Sequence, residues 1–156
     1  YIDGAYTKDT RNDPTGIQIS GKSGDNLYIF KSIDKYLEMP ELKNFVTSFV
    51  QSCGVPISQI LVEPKASGKS LVQLLRRETR YNVSEIKTNF VRYSKIERAR
   101  ASSPFIEGGR VFIVKDNWND AFLQQVSTFP NAKHDEHIDV TSYAIERNLI
   151  NNFFVV

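Results

Sequence analysis

The apolar positions of this chain change period several times, and each change marks an element. Thr15 to Ser20 and Leu27 to Ile33 have β-type composition, and the polar run Gly21-Lys22-Ser23-Gly24-Asp25-Asn26 between them is a turn signal. Together they predict a β-hairpin, with Tyr1 to Asp3 forming a strand before it. Leu42, Phe45, Val46 and Phe49 then fall at helical spacing, and Gly54-Val55-Pro56 breaks that helix. Gln59 to Val62 reads as a short apolar strand from the buried centre of a sheet. Leu71, Leu74 and Leu75 mark a second helix, Val83 to Lys87 a further strand, and Arg92 to Ala101 a basic helix. Phe105-Ile106 and Arg110 to Val114 flank Glu107-Gly108-Gly109, which reads as a tight hairpin turn. Trp118, Phe122 and Val126 stripe another helix, ended by Phe129-Pro130-Asn131, and the last helix begins near His134. Phe153 to Val156 form an apolar tail with no assigned place. Strands interleaved with helices in this order predict an α/β domain, a mixed sheet flanked by helices on both faces.

A length of 156 residues suits one domain with a hydrophobic core. No apolar run is long enough to span a bilayer, and no signal peptide is visible. The chain begins at Tyr1-Ile2-Asp3 rather than at Met, so it is expected to be a domain excised from a longer protein. The single cysteine, Cys53, excludes an internal disulfide and a multi-cysteine zinc site. It is expected as a packed thiol at a helix end, in keeping with a reducing compartment. A net charge of +2 neither demands nor excludes nucleic acid, so the local placement of charge carries the argument.

The densest local charge is His134-Asp135-Glu136-His137-Ile138-Asp139, which puts three carboxylates at the head of the last helix. Crowded carboxylates repel, and a divalent cation between them relieves the repulsion. Two further acids fall at strand ends: Asp3 closes the first strand, and Glu63 follows Ile60-Leu61-Val62. Asp3, Glu63 and Asp135 therefore come from three elements that can converge at one sheet edge. An all-oxygen set suits Mg²⁺ or Mn²⁺ rather than zinc, and a pair of such ions can cleave a phosphodiester. Taken singly, Asp3 reads as a turn acid, Glu63 as a strand-end acid and Asp135 as a helix N-terminal acid favoured by the macrodipole. Asp139 lies one turn beyond Asp135 on the same face, whereas Glu136 points about 100° away. Asp9 and Asp13 read as turn residues in a polar loop.

His134 and His137 have the spacing of two zinc ligands on a helix, but no third soft ligand accompanies them, so a structural zinc is not expected; His134 is expected near the site or against DNA. Ala66-Ser67-Gly68-Lys69-Ser70 imitates a P-loop, yet the position that must be glycine holds Glu63, so no nucleotide site is expected there. Gly68 and Lys69 instead start the second helix, with Lys69 available to a phosphate. Lys95 and Arg98 share a helix face, with Arg92 and Arg100 nearby; Arg76, Arg77 and Arg80 form another basic patch. Either patch is a solvated face or a nucleic-acid contact.

The ordered set of Glu63-Pro64-Lys65-Ala66-Ser67-Gly68-Lys69-Ser70-Leu71, Lys95-Ile96-Glu97-Arg98-Ala99, Ser103-Pro104, Glu107-Gly108-Gly109-Arg110-Val111, Phe122-Leu123, Phe129-Pro130 and His134 to Asp139 resembles the C-terminal nuclease domain of tailed-bacteriophage large terminase subunits. The resemblance spans nearly the whole chain. It implies an RNase H-like fold and a metal-dependent endonuclease that cuts concatemeric viral double-stranded DNA during packaging. It implies Asp3, Glu63 and Asp135 as catalytic acids holding two Mg²⁺ or Mn²⁺ ions, with Glu136 and Asp139 as supporting ligands. Glu136 stands where the family commonly has Asp. Lys69, Lys95 and Arg98 are implied as DNA contacts. The resemblance further implies an ATPase motor elsewhere in the full-length protein, the portal and small terminase subunit as partners, and the host cytoplasm as location. Two other readings stand beside it: a resolvase- or transposase-type RNase H-like nuclease, and a non-catalytic DNA-binding or docking module.

Overall fold

The computed structural model describes residues 1–4, 13–65, 68–87 and 92–151. Asp9 and the tail from Phe153 to Val156 lie outside these residues. In chain order the elements are β1 (Ile2–Asp3), β2 (Thr15–Ser23), β3 (Asn26–Lys35), α1 (Met39–Ser52), β4 (Ile60–Val62), α2 (Gly68–Glu78), β5 (Val83–Glu85), α3 (Lys95–Glu107), β6 (Val111–Ile113), α4 (Asn119–Thr128) and α5 (Glu136–Ile145). A π-helical turn over Glu146–Ile150 continues α5. Among the described residues the six strands form one sheet in the order β5-β4-β1-β2-β3-β6. The pairs β1–β2 and β2–β3 are antiparallel; β1–β4, β4–β5 and β3–β6 are parallel. None of the described helices is long and apolar enough to cross a membrane.

The predicted hairpin at Glu107-Gly108-Gly109 is absent; α3 runs on through Pro104 to Glu107 and the two glycines end it. The Arg110 amide donates to the Phe105 carbonyl and the Gly109 amide to the Ile106 carbonyl, both at 3.0 Å, with Gly109 at φ 68°. This paired capping pattern requires a left-handed residue, which glycine adopts without a Cβ penalty. Gly-Gly therefore satisfies helix carbonyls here instead of joining two strands. Val111–Ile113 pairs in parallel with Leu27–Ile29 of β3, far away in sequence.

Alternation along the strands divides the molecule into two layers of helices. Ile2, Ile17, Ile19, Ile60 and Val62 face Leu42, Val46 and Phe49 of α1 and Leu71, Val72 and Leu75 of α2. Each fully buried aliphatic side chain there contributes roughly 1.5–3 kcal/mol. On the other face, Leu61 and Ile86 meet Tyr143, Leu27 meets Ala144 and Ile145, and Ile29 meets Trp118 and Phe122. Every residue of α5 is buried, so its polar side chains need internal partners. Thr141 donates to Gln18 Oε1 at 2.8 Å, His137 Nδ1 meets Ser32 Oγ at 2.8 Å, and the His137 amide donates to Gln125 Oε1 at 2.7 Å. Gly16 lets the head of α5 approach β2: a Cβ at that position would lie 3.0 Å from the Glu136 Cβ.

Candidate active site

The site begins with sheet register. Ile2 pairs with Ile17 on one side and Val62 on the other, and the Glu63 amide donates to the Ile2 carbonyl at 2.9 Å. Asp3 and Glu63 thus leave neighbouring strands at the same edge, and their carboxyl groups are hydrogen-bonded. Two carboxyl groups in contact resist double ionisation and titrate as a unit. Burial, the bond to Glu63 and the charges of Glu63 and Asp139 raise Asp3 well above its ordinary 3.8. Burial pushes Glu63 up as well, but hydrogen bonds from Asp3, Lys65 and Tyr143 outweigh it and hold Glu63 down at about 2. The two therefore titrate together, with burial and the neighbouring acids favouring the proton on Asp3. Lys65 Nζ lies 2.8 Å from Glu63 Oε1, and the buried Tyr143 hydroxyl donates to the same oxygen.

The opposite wall is the head of α5. Asp135 is its N-cap residue, but the side chain makes no capping bond and pairs with Lys95 instead. One turn later Asp139 takes Lys95 at 2.7 Å and also binds Arg98. Both cations come from the start of α3, where Ser94 and Glu97 form a reciprocal capping box: the Ser94 amide donates to Glu97 Oε2 at 2.7 Å. A helix N-terminus disfavours cations, so Lys95 stands there against the local dipole and is held by two carboxylates. Burial lowers the pKa of Lys95 and Arg98, but Asp139 for both, with Asp135 for Lys95, raises each on balance. Arg98 also donates to the Tyr93 carbonyl at 2.8 Å and sits over the Tyr143 ring at 5.2 Å. Tyr143 thus touches both walls.

Glu136 diverges from its neighbour Asp135. It is 5% exposed, and neither carboxylate oxygen makes a hydrogen bond of normal geometry. Burial pushes its pKa up to about 7, against the pull of its own backbone amide and Lys95. Its oxygen, one from Asp13 and a ring nitrogen of His134 all lie within 4.8 Å of one another. His137 faces the core, bonded to Ser32 and against the Phe122 ring.

The structure thus brings Asp3 and Glu63 into contact, sets Asp139 near enough to act on Asp3, and joins Asp139 to Asp135 through Lys95. Glu136 belongs to a separate group with Asp13 and His134. Lys69 is exposed in the first turn of α2. The expectation that Arg98 contacts DNA does not fit its 3% exposure: its guanidinium is spent on Asp139. Arg76 likewise donates to the Val83 carbonyl at 2.6 Å. Sequence reasoning missed Tyr143 as the partner of Glu63, although its spacing of four from Asp139 puts it on the same helix face. It also missed the inward turn of Lys95, for which the signal was a cation at a helix start. The oxygen-only set of Asp3, Glu63, Asp135 and Asp139, kept together by a shared proton and a lysine, fits hard divalent cations.

No curated protein matches the chain. Among solved structures it is similar to the human cytomegalovirus terminase nuclease domain, with a TM-score of 0.66 at 13% identity, over 98% of this chain and 84% of that one. That likeness shows the fold, RNase H-like α/β. The sequence model of the terminase RNase H-like domain family matches residues 1–148. The chain belongs to the terminase RNase H-like domain family.

Proposed function

We propose that this domain is a divalent-metal-dependent endonuclease that cuts concatemeric double-stranded DNA during genome packaging in a tailed phage. In that setting it works beside an ATPase motor, the portal and the small terminase subunit, in the host cytoplasm. The observation that carries the reading is the meeting of carboxyl groups from two strand ends and one helix head, close enough for Asp3 and Glu63 to share a proton. Two Mg²⁺ or Mn²⁺ ions, when bound, supply activation of a water and stabilisation of the leaving oxygen. Asp3, Glu63 and Asp135 would hold these ions, with Asp139 supporting Asp135. Lys95, which pairs with Asp135 and Asp139, would then be available to a phosphate oxygen, as would the exposed Lys69. Tyr143 and Lys65 keep Glu63 ionised and oriented.

The test is nicking of supercoiled plasmid in Mg²⁺ and in Mn²⁺ by the wild type, Asp3→Asn and Asp135→Asn. Loss of several kcal/mol of transition-state stabilisation predicts a rate drop of at least about a thousandfold for each variant. Cleavage that survives both substitutions rules out the assigned carboxylates. A preference for four-way junctions over linear duplex moves the reading to a resolvase, and DNA binding without cleavage in either metal moves it to a docking module.

A further inference from the structure

A buried carboxylate with no partner is costly, and folds neutralise it with a proton, a cation or a metal. Glu136 is such a group: 5% exposed, with both oxygens lacking a hydrogen bond among the described residues. Beside it His134 Nδ1 is also buried and without a hydrogen bond, 4.0 Å from Glu136 Oε1. That gap is too long for a hydrogen bond. A tetrahedral ion at about 2.0–2.2 Å from each atom would hold the two about 3.3–3.6 Å apart, so the pair closes by roughly half an ångström on binding. Asp13, the exposed residue two before β2, completes a group whose ligand atoms all lie within 4.8 Å of one another. The other ring nitrogen, His134 Nε2, lies 3.4 Å from the Tyr36 hydroxyl, and the two rings meet edge-on at 6.2 Å. A metal-bound histidine usually has its second nitrogen oriented by such a partner.

We propose that Asp13, His134 and Glu136 form a site for one transition-metal ion of the zinc class, separate from the carboxylates of Asp3, Glu63, Asp135 and Asp139. One imidazole and two carboxylates favour zinc-like ions over Mg²⁺, which prefers oxygen ligands and keeps its waters. Three protein ligands leave a position open beside the exposed Asp13. The bound ion ties the segment leading into β2 to the head of α5. That linkage bears on the other site, because Asp135 is the residue before Glu136 and its carboxylate pairs with Lys95.

The experiment is calorimetric titration of Zn²⁺ into the domain with excess Mg²⁺ present to occupy the oxygen-only site, and absorption of Co²⁺ substituted for zinc. The wild type should bind one zinc and give visible Co²⁺ bands. His134→Gln should abolish the bands and weaken zinc at least about tenfold, the loss typical of outer-shell partners alone. Asp13→Asn should weaken binding without changing the metal-free melt, since that side chain is exposed. Asp3→Asn should leave zinc affinity within about threefold of wild type. Absence of zinc binding in the wild type overturns the proposal; so does binding that survives both His134→Gln and Asp13→Asn, or that disappears in Asp3→Asn. A domain that binds zinc through His134 yet never cuts DNA keeps this inference and removes the nuclease reading.

Discussion

Asp135 and Glu136 are consecutive residues at the head of one helix, yet the fold treats their charges in opposite ways. Asp135, with Asp139 one turn on, receives Lys95 and Arg98 from the start of α3. Glu136 is buried against Gly16 of β2 and, among the described residues, has no hydrogen-bond partner for either oxygen. On the first side the chain provides its own cations, so the acids stay organised without a ligand. On the second, among the described residues, it provides a histidine and another acid but no cation in contact. Lys95 is 28% exposed at its side chain and can be displaced, whereas Arg98, at 4%, is a fixed part of the wall. The contrast separates a carboxylate held ready from one left uncompensated, and three substitutions probe it.

The largest effect is expected at Arg98. Removing one partner of a buried ion pair usually costs about 3–5 kcal/mol, because the other charge is stranded. Lys95 remains on Asp139 in Arg98→Met, which puts the loss near the lower end, about 3 kcal/mol, measured by urea unfolding. Adding Asp139→Asn to Arg98→Met should recover part of that loss, since the stranded charge goes with it. A loss under about 1 kcal/mol would mean that this side is held by packing, as for an ordinary surface pair, and the contrast with Glu136 would fail.

Tyr143→Phe sharpens the same side at smaller cost. A hydrogen bond to a charged group contributes about 1.5–3 kcal/mol. Lys65 still reaches Glu63 at 2.8 Å, so the expected loss is about 1.5 kcal/mol at neutral pH. The sign with pH follows from Glu63, held down at about 2 from its ordinary 4.5. A depressed carboxyl contributes stability that is fully present above 4.5 and fades as pH falls toward 2. The cost of Tyr143→Phe should therefore shrink in that acid window. A cost that stays constant from pH 6 to pH 2 would assign the effect to packing against Arg98.

The sheet hairpin, α1, α2, α4 and the α/β class were legible because periodicity and turn chemistry are local. The end of α3 was not, since Gly108-Gly109 fits both a hairpin turn and a helix cap, and only the distant pairing of Val111–Ile113 with β3 decides between them. Asp3 and Glu63 could be placed at strand ends, but their contact depends on β1 lying beside β4 across some sixty residues of chain. The carboxylates on α5 were visible as a cluster; their divergence was not. Helical geometry separates Asp135 from Glu136 by about 100°, yet what each one meets is set by α3 on one side and by the residues before β2 on the other. Asp13 read as a turn acid because nothing local links it to His134.

The most diagnostic change is Glu136→Gln. The Glu136 pKa is raised to about 7 from its ordinary 4.5, chiefly by burial, so between these values the folded chain holds a proton that the unfolded chain releases. Stability from this group is greatest below 4.5, declines as pH rises through the window, and levels off above 7. Glutamine cannot ionise and escapes the decline. In the absence of metal the melting midpoint of Glu136→Gln should match wild type below pH 4.5 and exceed it above pH 7. Each kcal/mol corresponds to roughly 2–4 °C in a domain of this size. The raised Asp3 contributes a slope of the same sign to both proteins and cancels in the difference. Zinc added at pH 7.5 should lift the wild type and close the gap, because an ion that binds only the folded state stabilises it by mass action. A gap of the same size at every pH would show that Glu136 ionises as it does in the unfolded chain, with no cost of burial, and the uncompensated side of the α5 head would then be no different in kind from the side held by Lys95 and Arg98.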